Sequence, residues 1–187
     1  MTIGIIGICN ATLNFATRAI EYGHEVLISH YRNNAAMRAT VQAMGCKAKL
    51  VSKEKAAKTK IIILFVPFEE IDLFMSDLPD MTGKILIHTN HFIFSMECFR
   101  FHLRTTLSSE IIANFLPTAY SVKILTILNP ELVLQANINE DEIFYVATNH
   151  KVKKKVESFF RTLNFSSYDF EEICSLNTAS AIDGNTI

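Results

Sequence analysis

The β-favouring run Ile3-Gly4-Ile5-Ile6 meets Gly7 and passes within three residues into a helix-type stretch that begins near Asn10. No other feature constrains the fold of this chain as much. A buried strand that turns on a glycine directly into a helix leaves the first N–H groups of that helix without acceptors, aimed outward from the strand's end.

The segments that follow repeat the scheme. Ile3 to Gly7 reads as a buried strand, and Asn10 to about Tyr22 as a helix with Leu13, Ala16 and Ile20 on one face and Gly23 as its stop. His24 to Ser29 is a second strand. A helix capped by Asn33 or Asn34 then buries Met37, Val41 and Met44 and ends at Gly45. Ala48 to Val51 is a short strand, and Ser52 caps one or two helical turns through Lys58. Ile61 to Val66 is unbroken and β-branched at several positions, which marks a central parallel strand covered on both faces. Pro67 ends it, Ile71, Phe74, Met75 and Leu78 form a helical stripe, and Lys84 to His88 is the next strand.

Strand and helix alternating at this spacing predict an α/β fold with a doubly wound, mostly parallel sheet. Beyond a Phe- and Met-rich stretch from His91 to Leu107, a helix over Ser108 to Leu116 and strands over Tyr120 to Leu125 and Glu142 to Thr148 are expected. Asn149 caps a helix whose apolar face is Val152, Val156, Phe159, Phe160 and Leu163, and Phe165 to Asp169 is a last strand. The 187 residues suit one domain, placed at residues 1–176, with a polar tail at 177–187.

Composition excludes several classes. The net charge of −1 gives no basic footprint for nucleic acid. Lys151, Lys153, Lys154 and Lys155 are dense but fall opposite the apolar stripe of their helix, as a solvated face. The longest apolar run, Ile61 to Pro67, is far too short to span a membrane, and the N-terminus lacks the cationic flank of a signal peptide. The cysteines, Cys9, Cys46, Cys98 and Cys174, have no metal-ligand spacing. Scattered thiols of this kind point to a reducing, cytoplasmic setting and no metal.

In doubly wound folds the first strand–helix turn is where a dinucleotide diphosphate lies, and three glycines usually shape it. Here Gly7 holds the first position, Cys9 the second and Thr12 the third. Cys and Thr are small, and a Thr hydroxyl is a donor for phosphate. The alternative is a turn in an α/β protein that binds nothing there. The second strand adds a further sign. NAD sites place an acid at its end for the ribose 2′-hydroxyl, but no acid lies between Glu25 and Glu54. The strand ends Ser29-His30-Tyr31-Arg32 instead, a hydroxyl, an imidazole and a guanidinium suited to a 2′-phosphate.

At this point the chain resembles a known family. Thr2 to Ala48 looks like the N-terminal half of the coenzyme F420-dependent NADP oxidoreductases, whose NADP-binding Rossmann domain is similar to domains of ferric reductases and pyrroline-5-carboxylate reductase. The stretches Gly23-His24-Glu25-Val26, Val66-Pro67, Ser109-Glu110-Ile111-Ile112-Ala113 and Val122-Lys123 follow the same pattern, and the likeness runs from about residue 2 to 175. The resemblance implies NADP(H) as cofactor and F420 or a flavin among the redox acceptors. It assigns the diphosphate to Gly7, Ile8, Cys9, Asn10, Ala11 and Thr12 and the 2′-phosphate to Ser29, His30, Tyr31 and Arg32. Val66 and Pro67 then lie beside the dinucleotide, with Thr89 and Asn90 at the nicotinamide. The chain departs from the family at Cys9 and Thr12 (usually Gly), Tyr31 (Arg), His91 (Pro) and Thr126 (often Asn).

Hydride transfer needs alignment of two rings more than an acid or base. His88 and His91 flank Thr89-Asn90 and are candidate proton donors to a carbonyl or imine, with local structure as the alternative. Phe92 to Met96, with Phe99 and Phe101, either walls a pocket for a flat ring or fills a core or homodimer face. The leading function is an NADP(H)-dependent oxidoreductase acting with a flavin- or deazaflavin-like or small carbonyl acceptor. The alternatives are a Rossmann protein that binds or senses a dinucleotide without turnover, and a scaffold that binds none.

Overall fold

The computed structural model describes residues 1–66, 70–89, 112–124, 141–147 and 149–172, without the side chains of residues 10, 11 and 89. The strands are β1 (Thr2–Ile6), β2 (Glu25–Ser29), β3 (Ala48–Leu50), β4 (Ile61–Leu64), β5 (Ile85–Thr89), β6 (Tyr120–Ile124), β7 (Glu142–Ala147) and β8 (Ser166–Asp169). They form a single sheet in the order β3-β2-β1-β4-β5-β6-β7-β8. All pairs are parallel except β6 with β7. The helices are α1 (Asn10–Glu21), α2 (Arg38–Ala43, entered through a 3-10 turn at Asn34–Met37), α3 (Lys53–Ala56), α4 (Ile71–Ser76) and α5 (His150–Thr162). This is the expected doubly wound α/β architecture. Strand order reverses direction between β1 and β4, so the crevice at their C-terminal ends is the topological switch point where such folds bind ligands.

Alternation along the strands feeds two cores. Ile3, Ile5, Ile61, Ile63, Ile85, Ile87, Val122 and Ile124 face the side carrying α1 and α5. Ile6, Ile62, Leu64 and Leu86 face the side carrying α3 and α4. The buried face of α5 is the expected one, and Asn149 caps it by accepting from the Lys151 N–H at 2.8 Å. The face of α1 is rotated from expectation. Phe15, Ala16 and Ala19 are its buried apolar residues, while Leu13 and Ile20 sit at the margins. Phe15 claims the centre because its ring packs on Phe165 from the far end of the chain, at 5.4 Å between centroids, a contact that helical spacing does not reveal.

Strand β4 stops at Leu64, short of the expected Val66. Phe65 donates one more ladder bond to the Ile6 carbonyl at 2.8 Å, and the chain then diverges around the Gly7 turn. Gly4 serves packing: a Cβ there would meet the Ala56 carbonyl oxygen at 2.4 Å, so α3 rests directly on the β1 backbone. The helix expected over 108–116 is described only from residue 112, and the Phe-rich stretch and the tail lie outside the described residues. No helix among the described residues is long and apolar enough to cross a membrane.

One expectation for the basic run is overturned. Lys153 is buried, not solvated, and its ammonium pairs with the buried Asp169 carboxylate at the end of β8. Glu171 and Glu172 lie 3.7 Å away, and these carboxylates raise the lysine against the opposing effect of burial. Replacing Lys153 with alanine leaves Asp169 buried without its cation, which is expected to cost about 3 kcal/mol. Urea unfolding at neutral pH checks this, and Lys154→Ala on the exposed face is expected to cost under about 0.5 kcal/mol.

Candidate functional site

Gly7 closes β1 with φ +85°, a left-handed conformation that disfavours any side chain. Its N–H donates to the Ser29 carbonyl at 2.8 Å, tying the turn to the end of β2. On its other side the Phe65 carbonyl oxygen lies 1.6 Å from where a Cβ would stand. The turn is therefore pressed between the ends of β2 and β4, at the switch point. Cys9 follows as the N-cap of α1 in extended conformation. Asn10 and Ala11, the first two residues of the helix, have N–H groups with no intrahelical acceptor, the arrangement that receives an anion.

Thr12 behaves differently from the role assigned to it. Its side chain is buried, its hydroxyl donates to the Cys9 carbonyl at 3.1 Å, and it accepts from the Cys9 N–H at 2.9 Å. With its only hydrogen used, the hydroxyl is a cap for the turn and not a phosphate donor. It also takes the Cys9 N–H that a glycine in its place would leave for a ligand.

At the end of β2 the four polar residues divide. Ser29 is buried, and its hydroxyl turns back on the His30 carbonyl at 3.2 Å. The His30 Nδ1 accepts from the Arg32 N–H at 3.0 Å and the Asn33 N–H at 3.3 Å, which fixes that nitrogen as unprotonated. Burial and then the Arg32 charge lower its basicity, Glu70 opposing, so His30 is a neutral donor near pH 7. Tyr31 stacks on His30 with ring centroids 4.4 Å apart. Asn34 secures the loop, accepting from the His30 N–H at 2.7 Å and donating to the Val51 carbonyl at 2.6 Å.

Arg32 is exposed, but its guanidinium is engaged. Its Nε donates to Glu70 Oε2 at 2.9 Å and one terminal nitrogen pairs with Glu70 Oε1. Glu70 is the N-cap of α4, brought across the switch point from 38 positions away. The pair borders a groove of about 380 Å³ lined by Tyr31, Arg32, Lys53, Glu70, Phe74 and Asp77. Lys53 lies 5.4 Å from the Phe74 ring centre and pairs with Asp77. Two cations thus face the groove, each already matched by a carboxylate from one end of α4. Neither Glu70 nor Lys53 was legible as a site residue. Their placement follows from strand order, which sets the ends of β2 and β4 on either side of β1.

Farther along the same edge, His88 on β5 is fully buried and bonds Ser121 at 3.1 Å through Nε2. Lys123, its register partner on β6, is also buried. Burial, and then the Lys123 charge, push His88 down to about 3, and burial lowers Lys123 as well. A neutral imidazole this far from its protonated state is a poor proton donor at neutral pH. Val66 is half-buried beside the switch point, and Thr89 ends β5 on the same edge. Pro67, Asn90, His91 and Thr126 lie outside the described residues.

Comparison with known proteins agrees with the fold. Residues 2–91, just under half of the chain, match the family described as NADP oxidoreductase, coenzyme F420-dependent, so the likeness read from the sequence holds over that stretch. A hypothetical protein from Sinorhizobium meliloti superposes with a TM-score of 0.70 at 23% identity, covering 90% of this chain and 84% of that one. A protein provisionally identified as an F420-dependent NADP-reductase, from Arthrobacter sp. FB24, gives 0.66 at 17% identity, with 91% and 84% covered. An imine reductase from Aspergillus terreus, solved with NADPH4 and dibenz[c,e]azepine, gives 0.58 at 14% identity, with 98% and 62% covered. At these identities the structural likeness establishes the Rossmann-type fold alone. No curated protein sequence matches the chain significantly.

Proposed function

We propose that this chain is an NADP(H)-dependent oxidoreductase that exchanges a hydride with a flavin- or deazaflavin-like or small carbonyl acceptor. The observation that carries the reading is the convergence, at one switch point, of the Gly7 turn, the N–H groups of Asn10 and Ala11 that have no intrahelical acceptor, and Arg32. The family match over residues 2–91 supports it. In this reading Gly7 to Ala11 hold the diphosphate through backbone groups. Arg32, with the His30 Nε2 proton beside it, meets the 2′-phosphate, and the groove between Tyr31 and Phe74 takes the adenosine. Val66 and Thr89 border the path to the nicotinamide, which supplies the hydride when bound, and the family resemblance assigns Pro67 and Asn90 to the same role. Residues 1–176 act as one nucleotide-binding domain, and a cytoplasmic homodimer is the form that goes with it.

Thermal shift with NADP(H) and NAD(H) in parallel tests the reading. Nucleotide at about a hundred times its dissociation constant stabilises the folded state by roughly 2.7 kcal/mol. No shift with either nucleotide at millimolar concentration overturns it. Arg32→Ala is expected to weaken NADPH by about tenfold or more through loss of a charge-assisted contact, with NADH little changed. Equal weakening of both nucleotides would remove the 2′-phosphate assignment.

His88, a candidate proton donor that is buried and pushed down to about 3, favours a second reading, in which the dinucleotide is bound without turnover. NADPH oxidation against flavin, F420 and quinone acceptors separates the two: binding with no oxidation of NADPH supports the sensor.

A further inference from the structure

We infer that Glu70 sets the coenzyme preference of the nucleotide site by holding the Arg32 guanidinium and presenting a carboxylate to the ribose. The inference rests on the dinucleotide reading above. The absence of an acid at the end of β2 argues for NADP(H) from sequence, but the structure brings an acid there from α4. Glu70 engages Arg32 through Nε and one terminal nitrogen, the edge of the fork that would otherwise take a phosphate bidentately. The carboxylate is three-quarters shielded, the guanidinium two-thirds exposed, so the acid is the anchored partner and the arginine the movable one. Lys53 gives no surplus charge to the groove, because Asp77 pairs with it.

A 2′-phosphate entering this groove must share Arg32 with a fixed negative charge. A 2′-hydroxyl meets a carboxylate able to accept its hydrogen bond, the contact an acid at the end of β2 makes in NAD sites. Arg32 retains three N–H donors beyond those given to Glu70, so phosphate is penalised without being excluded. The site therefore takes both coenzymes, with a narrower preference for NADP(H) than an unopposed arginine gives.

Calorimetric titration of the full chain with NADPH and NADH, for wild type, Glu70→Gln and Arg32→Ala, tests this. Glu70→Gln keeps the shape of the side chain and removes its charge. It is expected to tighten NADPH about tenfold, weaken NADH about threefold, and lose most of the NADPH gain at high salt, where exposed charges are screened. Arg32→Ala is expected to abolish the preference between the two. An NADPH-to-NADH affinity ratio unchanged by Glu70→Gln, with both nucleotides still bound, overturns the role of Glu70 and leaves the parent reading intact. Binding of neither nucleotide by wild type or Glu70→Gln overturns both.

Discussion

Gly7→Ala is expected to destabilise the protein by about 4 kcal/mol, most of the stability of a domain at the low end of the usual range of about 5–15 kcal/mol. Two effects add. At φ +85° an alanine pays the left-handed penalty of roughly 1–2 kcal/mol. Its Cβ would also stand 1.6 Å from the Phe65 carbonyl oxygen. Because that atom belongs to the backbone of the adjacent strand, no rotamer change relieves the overlap. The end of β4 must move, at an overpacking cost of about 1–3 kcal/mol. The Gly7–Ser29 and Phe65–Ile6 hydrogen bonds, both 2.8 Å, lie in the path of that movement. Guanidinium unfolding of wild type and variant measures the difference. A loss under about 1 kcal/mol would show that the switch point is pliable. Gly45→Ala, at a left-handed turn with nothing within 4 Å of the added atom, isolates the backbone share of the cost.

The second large effect is an acid limb in stability controlled by His88. An imidazole held at about 3 when folded, and near 6.5 when unfolded, takes up its proton preferentially in the unfolded chain. Stability is therefore complete above pH about 6.5 and falls as the pH drops toward the folded value. The slope approaches about 1.4 kcal/mol per pH unit and accumulates to on the order of 4 kcal/mol near pH 3. The cause is geometric. His88 is buried on the sheet face with Leu64 and Lys123 as register neighbours, so a second positive charge there has neither water nor a counter-charge from those strands. His24 and His30 are lowered by burial as well and add in the same direction. The decisive comparison is urea unfolding of wild type and His88→Leu from pH 7 to pH 4. The difference between them should grow in favour of the variant as the pH falls. A constant difference would mean that His88 takes up its proton in the folded protein.

Local pattern revealed much of the fold for identifiable reasons. The stripe Val152, Val156, Phe159, Phe160 and Leu163 is buried as its spacing requires, because one face of a helix has a single way to hide it. The cap residues Ser52 and Asn149 do what their short polar side chains do at helix starts. Pattern failed where a residue's environment came from a distant element. Phe15 is buried against Phe165 and displaces the expected face of α1. Lys153 belongs by composition to a basic surface, yet the end of β8 supplies Asp169 and makes it part of a buried pair. Thr12 is a plausible phosphate donor by type, and helix geometry spends its hydroxyl on Cys9.

The sequence by itself determined the strand–glycine–helix turn at Gly7, the alternation that makes the sheet doubly wound, and a second strand ending in hydroxyls, an imidazole and a guanidinium without an acid. These are properties of contiguous residues, fixed by backbone sterics and by the period of apolar side chains. Only the tertiary structure decided what those groups meet. Strand order β2-β1-β4 brings Glu70 onto Arg32 across 38 positions and presses Phe65 against Gly7. The physical reason is that periodicity assigns a residue to a face, while its partner is set by which strands lie side by side. That order is a long-range choice of the whole sheet.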